Sequence, residues 1–73
     1  MIIKNLVKKE REKRKLTQAS LAEKVGVNEL TINSIEQERY QPSIILAYKL
    51  AQIFDTNIET LFCLQEYFEN EEK

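Results

Sequence analysis

The chain has 73 residues, of which 42% are hydrophobic and 32% are charged, and its formal net charge is −1. A chain of this length forms at most one domain, and one Gly and one Pro are too few turn-forming residues for collagen-like, disordered or all-β proteins. With one Cys and no His it lacks the residues for a disulfide framework, a histidine-ligated zinc site or histidine acid–base catalysis, so we expect no catalytic residues, no bound metal and no cofactor.

Five segments with apolar residues at helical spacing each follow a residue type that commonly caps helices. The predicted helices are residues 6–15 after Asn5, 18–25 after Thr17, 29–37 after Asn28, 44–54 after Ser43 and 58–62 after Asn57. Gly26 ends the second helix because glycine tolerates a positive φ, and Pro42 separates the third helix from the fourth. These segments predict an all-α domain.

The two ends of the chain fit either secondary structure. Ile2 and Ile3 form a β-branched pair, and residues 62–68 fit strand alternation nearly as well as they fit a helical face. We expect one domain over residues 1–68, followed by a frayed acidic tail over residues 69–73.

The apolar runs of the chain are short. The longest, residues 44–48, is far below the roughly 20 residues that span a bilayer, and no signal-peptide pattern opens the sequence. We therefore expect a cytoplasmic protein without membrane contact, in which Cys63 is a small buried thiol in a reducing compartment.

Charge is distributed unevenly despite the small net value. Residues 1–24 contain eight Lys or Arg and three Glu, whereas residues 54–73 contain six Asp or Glu and one Lys. A fold that keeps these ends apart has a basic and an acidic pole, and such a dipole can orient a protein on a polyanion. The alternative is two ordinary solvated helix faces with i,i+4 ion pairs such as Glu10–Arg14.

Residues 18–36 predict two short helices that meet at a sharp turn. Ala22 is small enough for the second helix to pack closely over the first, Gly26 makes the turn and Val27 fills its underside. The shared apolar seam between the helices is predicted to consist of Leu21, Val25, Ile32 and Ile35. The second helix then presents a polar, protruding outer face, which is the shape that enters a DNA major groove about 12 Å wide.

This pattern resembles the Cro/cI-type helix-turn-helix regulators, often named the XRE family, and also looks like their short stand-alone members of the cytolysin-repressor type. The resemblance implies an all-α, five-helix, lambda-repressor-like DNA-binding domain, with a small two-stranded antiparallel β-ribbon that pairs Ile2–Lys4 with about Cys63–Gln65. The matching pieces are Leu16-Thr17-Gln18, Leu21-Ala22, Val25-Gly26-Val27, Thr31-Ile32, Ile35-Glu36, Tyr40-Gln41-Pro42-Ser43, Leu46-Ala47 and Leu50-Ala51.

The resemblance also implies what such a chain does. It implies a homodimeric, sequence-specific transcriptional regulator, which we interpret as a repressor, with the third helix in the major groove of a double-stranded DNA operator. Arg11 and Glu36 match a family pair that forms a partly buried salt bridge. No effector pocket is visible in the sequence, so we expect no small-molecule ligand.

The resemblance assigns DNA contacts to ten positions. Thr17 and Gln18 match phosphate-contacting positions, and Arg39 and Tyr40 resemble anchors on the DNA backbone. The recognition helix supplies the other six: Asn28, Glu29, Leu30, Thr31, Asn33 and Ser34. Among these six, Glu29, Leu30 and Ser34 align with base-reading positions, where a glutamate can accept from cytosine N4 and a leucine can touch a thymine methyl group.

The chain departs from the family pattern at several positions. Glu29 and Leu30 replace the usual Arg or Gln, and Glu38 stands where Gly is common. Ile45 replaces a charged residue, so it is either a lone apolar side chain on the surface or part of a dimer interface. The candidates for that interface are Ile45, Leu61, Phe62 and Leu64.

These departures leave a second hypothesis open. A protein-interaction module, such as an antitoxin-like partner, could retain this fold and bind through Ile45 and the acidic C-terminal end. It predicts a stable hetero-complex and little affinity for DNA. An enzyme is disfavoured because the sequence has no nucleophile–base pair and no metal-ligand set.

Overall fold

The computed structural model describes residues 4–66, which form a helical domain. The helices are α1 (Val7–Lys13), α2 (Gln18–Val25), α3 (Glu29–Glu36), α4 (Ile44–Ile53) and α5 (Ile58–Leu61). Residues 64–66 are also helical. The predicted tail at 69–73 lies outside the described residues.

Four of the five predicted caps act as predicted, because a side-chain oxygen at each accepts a hydrogen bond from a backbone N–H in the first turn. Thr17 and Ser20 form a reciprocal capping box at α2. The other three acceptors, at the starts of α3, α4 and α5, are Asn28, Ser43 and Asn57. The predicted bounds of α2 are confirmed, and the next three helices end one residue earlier than predicted.

The first helix is shorter than predicted at both ends. Its N-cap is Leu6, and Asn5 instead joins the helix start to α3. The Asn5 Oδ1 atom accepts from the Val7 N–H at 3.1 Å, while its Nδ2 donates to the carbonyl of Ile35 at 2.9 Å. The helix stops at Lys13 because Lys15 adopts a left-handed φ of 58°.

A residue with positive φ follows each of the helices α1 to α5. Gly26 fills this position after α2, and the four other helices end at non-glycine residues, namely Lys15, Glu38, Asp55 and Cys63. Glycine adopts this conformation without a steric penalty, whereas other L-residues are strained in it. The five helices α1 to α5 therefore end at residues with positive φ although the chain contains only one glycine.

The core lies where α1, α4 and α5 pack against the α2–α3 pair. It consists of the buried apolar side chains Val7, Leu21, Ala22, Val25, Ile32, Ile35, Leu46, Ala47, Leu50, Ala51, Phe54, Leu61 and Phe62. The predicted seam between α2 and α3 is part of this core. Arg14 reinforces its rim, since Nη2 donates to the carbonyl of Phe54 at 2.8 Å and the guanidinium lies 5.1 Å from that ring's centroid.

The predicted β-ribbon is wrong in the part of the chain that the structure describes. No strand occurs within residues 4–66, and Cys63, which is half-buried, turns the chain through a φ of 54° into a helical segment. Lys4 does reach Glu66, but through their side chains, with Nζ 2.9 Å from Oε1. The other predicted partners, Ile2 and Ile3, lie outside the described residues. A left-handed turn followed by helix leaves residues 63–65 unable to form a ladder.

No helix between residues 4 and 66 is long and apolar enough to cross a membrane.

Candidate nucleic-acid interface

Gly26 ends α2 and makes the turn that leads to α3. Gly26 has a φ of 79°, and the N–H groups of Gly26 and Val27 both donate to the carbonyl of Ala22, at 2.9 and 3.0 Å. A Cβ added at Gly26 would meet no atom within 4 Å. Glycine is therefore favoured at this position by the backbone conformation and not by crowding.

The third helix has two chemically different faces. Ile32 and Ile35 are completely buried beneath it, whereas Leu30 is 75% exposed on the opposite side. The other predicted recognition-helix residues follow the same division. Two are exposed, Asn28 and Glu29, and three are half-buried at the edges of the outer face, Thr31, Asn33 and Ser34. The structure thus brings all six predicted positions onto or beside one solvent-facing surface.

A buried ion pair lies beneath this surface. Arg11 Nε donates to Glu36 Oε2 at 2.6 Å, and Nη2 donates to Oε1 at 3.1 Å, with the two side chains only 10% and 2% exposed. Arg11 Nη1 also donates to the carbonyl of Leu16 at 2.8 Å. The hydrogen bond to Glu36 raises the pKa of Arg11, and burial opposes that rise. The pair joins α1 to the end of α3.

Three side-chain amides extend from this ion pair towards the solvent. Gln18 Nε2 donates to Glu36 Oε1 at 3.0 Å, and Asn33 Nδ2 donates to Gln18 Oε1 at 3.4 Å. Gln37 Nε2 then donates to Asn33 Oδ1 at 3.1 Å. We name Gln18, Asn33 and Gln37 the amide ladder. It links the start of α2 to the outer face of α3 and positions two of the predicted contact residues.

Sequence comparison identifies the family of this arrangement. A family model described as helix-turn-helix matches residues 7–61. A relative from Archaeoglobus fulgidus is 43% identical over 60 residues, which cover 82% of this chain and 84% of the relative. Relatives from Methanocaldococcus jannaschii and Bacillus subtilis are 42% and 39% identical over 64 residues, covering 88% of this chain and 97% of each relative. All three are named uncharacterized HTH-type transcriptional regulators.

The chain belongs to the XRE family of helix-turn-helix proteins.

In this XRE-family chain, the start of α2 lies beside the outer face of α3. Thr17 is exposed, and its Oγ1 accepts from the Ser20 N–H at 3.0 Å. The first backbone N–H groups of a helix and its positive dipole end favour an anion. Gln18 is half-buried, and one of its two amide hydrogens is used by Glu36, so the second remains for an external acceptor.

The two predicted backbone anchors follow α3 directly but differ in their surroundings. Arg39 is exposed, and its backbone N–H donates to the carbonyl of Ser34 at 2.9 Å, which keeps it close to the outer face of α3. Tyr40 is partly exposed and instead lines a groove of about 270 Å³ with Ile44, Leu64 and other apolar residues. The structure therefore places Arg39 beside the outer face of α3 and Tyr40 beside α4.

The XRE-family domain also exposes an apolar strip on α4. Ile44 is 75% exposed, Ile45 is 64% exposed, and Tyr48 follows one turn later on the same side of the helix. Leu61 and Phe62, two of the predicted dimer candidates, are buried in the core of the single chain, with at most 5% of either residue exposed. Leu64 is half-buried at the edge of the groove. The exposed apolar surface thus lies on α4 and not on α5.

Sequence reasoning missed Gln37. It lies seven residues after Leu30, which at 3.6 residues per turn places it within about 20° of Leu30 around the helix axis. That i,i+7 relationship was the available signal, and it places Gln37 on the outer face.

Among the described residues, no group of three His, Cys, Asp or Glu side chains is arranged to hold a metal ion.

Proposed function

We propose that this chain is a sequence-specific DNA-binding transcriptional regulator that acts as a repressor and binds as a homodimer, with α3 in the major groove. The observation that carries the proposal is the outer face of α3, which is uncovered and polar apart from Leu30 while the opposite face is buried. A helix with its side chains is about 10–12 Å across, which matches a major groove about 12 Å wide.

The proposed base contacts are made by the first two turns of α3. Glu29 accepts a hydrogen bond from cytosine N4, Leu30 touches a thymine methyl group, and Ser34 serves either as donor or as acceptor. The exposure of Glu29 and Leu30 supports these roles, since neither side chain is needed for the core.

The proposed phosphate contacts flank the recognition helix. Thr17 and Gln18 present the N-terminal end of α2 to one DNA strand, and Arg39 contacts the strand on the other side. These contacts orient the domain without reading sequence. A protein bound in this way excludes other proteins from the operator by occupancy, which is the basis for proposing repression.

The homodimer is proposed to form through the apolar strip on α4. Ile44, Ile45 and Tyr48 form a contiguous exposed surface, and a second copy would remove it from water. Two copies related by a twofold axis then present their α3 helices to half-sites about 34 Å apart.

Selection from random duplex DNA tests the proposal. The purified chain is incubated with a library of randomised duplexes, and bound molecules are amplified and sequenced over several rounds. We expect one enriched motif with twofold symmetry and half-site centres separated by about one helical turn. Affinity for that motif falls steeply with salt as phosphate contacts release counterions. Enrichment of no motif would contradict the proposal.

The apolar strip on α4 also favours a second candidate, a protein-interaction module bound to a different protein. Ile45 and acidic groups near α3, such as Glu29 and Glu38, suit a protein partner better than DNA phosphates. This candidate predicts a stable hetero-complex on co-purification and the same weak binding to every duplex.

A further inference from the structure

The amide ladder begins at a group whose hydrogen-bonding character is unambiguous. A carboxylate only accepts hydrogen bonds, so the atom of Gln18 that lies 3.0 Å from Glu36 Oε1 must be its NH₂ group. The opposite orientation would bring two oxygens together beside a side chain that is 2% exposed. Glu36 is itself held by two hydrogen bonds from Arg11, so it cannot turn away.

The orientation of each amide dictates that of the next. Since the NH₂ group of Gln18 donates to Glu36, the Oε1 atom of Gln18 faces Asn33. Asn33 must therefore donate to that oxygen through its Nδ2 atom. The Oδ1 atom of Asn33 then faces Gln37, which must donate to it through its Nε2 atom. The ladder runs from a buried carboxylate through two half-buried amides to an exposed one. The orientation of Glu36 therefore fixes which amide atoms donate and which accept at each step, as far as the exposed side chain of Gln37.

The exposed end of the ladder carries a defined pair of groups. Gln37 uses one N–H on Asn33, and within residues 4–66 its Oε1 and its second N–H have no other hydrogen-bond partner. An acceptor beside a donor does not match a phosphate, which offers only acceptors. It matches the edge of adenine in the major groove, where N6 donates and N7 accepts.

We infer that Gln37 reads an adenine in the operator and that Glu36, acting through Gln18 and Asn33, is the positioning residue that turns the correct atoms of Gln37 outward. This inference rests on the proposed function and adds a base-reading residue to it. Gln37, the exposed C-cap of α3, lies on the same side of that helix as Leu30, so both side chains meet the same groove. A bidentate contact of this kind discriminates against a wrong base by about fivefold to 150-fold.

Selection from random duplexes with matched variants at position 37 tests the contact. The wild-type chain is expected to enrich adenine at one position of each half-site. Gln37→Glu offers only acceptors and loses the hydrogen bond to Asn33 Oδ1, so it changes that position to cytosine, and Gln37→Lys, which offers only donors, changes it to guanine. The remainder of the motif stays the same. Tighter binding of Gln37→Lys to all duplexes with the adenine retained would mean a phosphate contact and would overturn the inference.

Two further variants test the positioning role. Glu36→Gln leaves one oxygen and one NH₂ group beside Arg11 and Gln18, so Gln18 no longer meets a group that only accepts, the amides take both orientations, and the adenine preference weakens severalfold. Asn33→Ala interrupts the ladder with a good helix former, so it weakens the adenine preference severalfold while the thermal midpoint is maintained. If Glu36→Gln fails to fold, the adenine preference of Asn33→Ala alone tests the positioning role. An unchanged adenine preference in Asn33→Ala would refute the positioning role of the amide ladder. Failure of the wild-type chain to enrich any motif would instead refute the proposed function itself.

Discussion

The third and fourth helices each bury one face in the same core and leave the opposite face uncovered, but the two uncovered faces have opposite chemistry. On α3 the exposed and half-buried side chains are mostly polar and include Asn33, Ser34 and Gln37. On α4 the first two turns expose Ile44 and Ile45. Polar groups match base edges and water, whereas contiguous apolar groups gain free energy only against another apolar surface.

The two helices also differ in what supports them from below. The α3 helix rests on the buried Ile32 and Ile35 and, in addition, on an ion pair and a ladder of amides that impose directions on its outer side chains. The α4 helix rests on apolar packing by Leu46, Ala47, Leu50 and Ala51, which is not directional. The outer face of α3 is therefore oriented by hydrogen bonds, whereas the exposed face of α4 is specified by shape and area alone.

The largest expected effect concerns the support beneath α3. Arg11→Ala leaves Glu36 buried without its charge partner, and removing one member of a buried pair costs about 3–5 kcal/mol. We expect that loss in the free energy of unfolding, measured by urea denaturation. Lys8→Ala, on the exposed side of α1, is the matched control and changes stability by less than about 0.5 kcal/mol. Equal losses of unfolding free energy in the two variants would show that the buried ion pair adds no particular stability beneath α3.

The α4 face is tested by adding one charge to it. Ile45→Lys is expected to convert the proposed dimer to a monomer in analytical ultracentrifugation and to weaken DNA binding, with the free energy of unfolding changed by less than about 0.5 kcal/mol. Gln52→Lys adds the same charge to the exposed side of α4 two turns later and keeps the dimer. If Ile45→Lys sediments like the wild type, the apolar strip is not the homodimer surface.

The α3 face should divide into residues that read bases and residues that only hold the DNA. Ser34→Arg is expected to change which duplex is preferred, because it alters the groups offered to the groove. Arg39→Ala is expected to weaken binding to operator and scrambled duplexes alike and to reduce the salt dependence by about one phosphate contact. Gel shifts with both duplexes measure this, and parallel losses from the two variants would contradict the division.

A smaller effect is expected where non-glycine residues end the helices. Lys15 has a φ of 58°, so Lys15→Gly relieves backbone strain and should raise the unfolding free energy by about 0.5–1 kcal/mol. Lys13→Gly, inside the last turn of α1, should lower it by about the same amount. Thermal denaturation of the two variants measures the difference, and stabilisation by neither would rule out strain at position 15.

The smallest effect is a pH dependence at the rim of α1. The hydrogen bond from Arg14 lowers the pKa of Glu10. The folded state therefore favours the charged carboxylate, and this stabilisation is present above the ordinary glutamate pKa of about 4.3 and is lost as the pH falls below it. Between pH 7 and pH 3, the free energy of unfolding of Glu10→Gln should fall by a few tenths of a kcal/mol less than that of the wild type. Identical pH profiles in urea denaturation would exclude the contribution.

Local signals in the sequence predicted α2 fully and predicted where α3 to α5 start, because a capping side chain and Gly26 act within a few residues of themselves. The prediction of the β-ribbon was wrong because strand pairing between the two ends depends on contacts across the whole chain. Nothing in residues 62–66 signalled that Cys63 would take a positive φ.

The candidate site was predicted in part for the same reason. The polar pattern of α3 identified its outer face, and the resemblance to a family supplied Arg11 and Glu36 as partners. The amide ladder was not predicted, because it needs Gln18 and Gln37 on different helices to meet at Asn33. The burial of Leu61 and Phe62 was also missed, since an apolar pair at the end of a short helix fits a core and an interface equally well.

The most direct test of the account is an NMR titration of the labelled chain with its selected duplex. If α3 enters the major groove, the backbone amide signals that shift most belong to residues 17–18 and 28–39, and those on the exposed side of α4 shift little. Shifts concentrated on residues 44–48, with the outer face of α3 unaffected, would contradict the account.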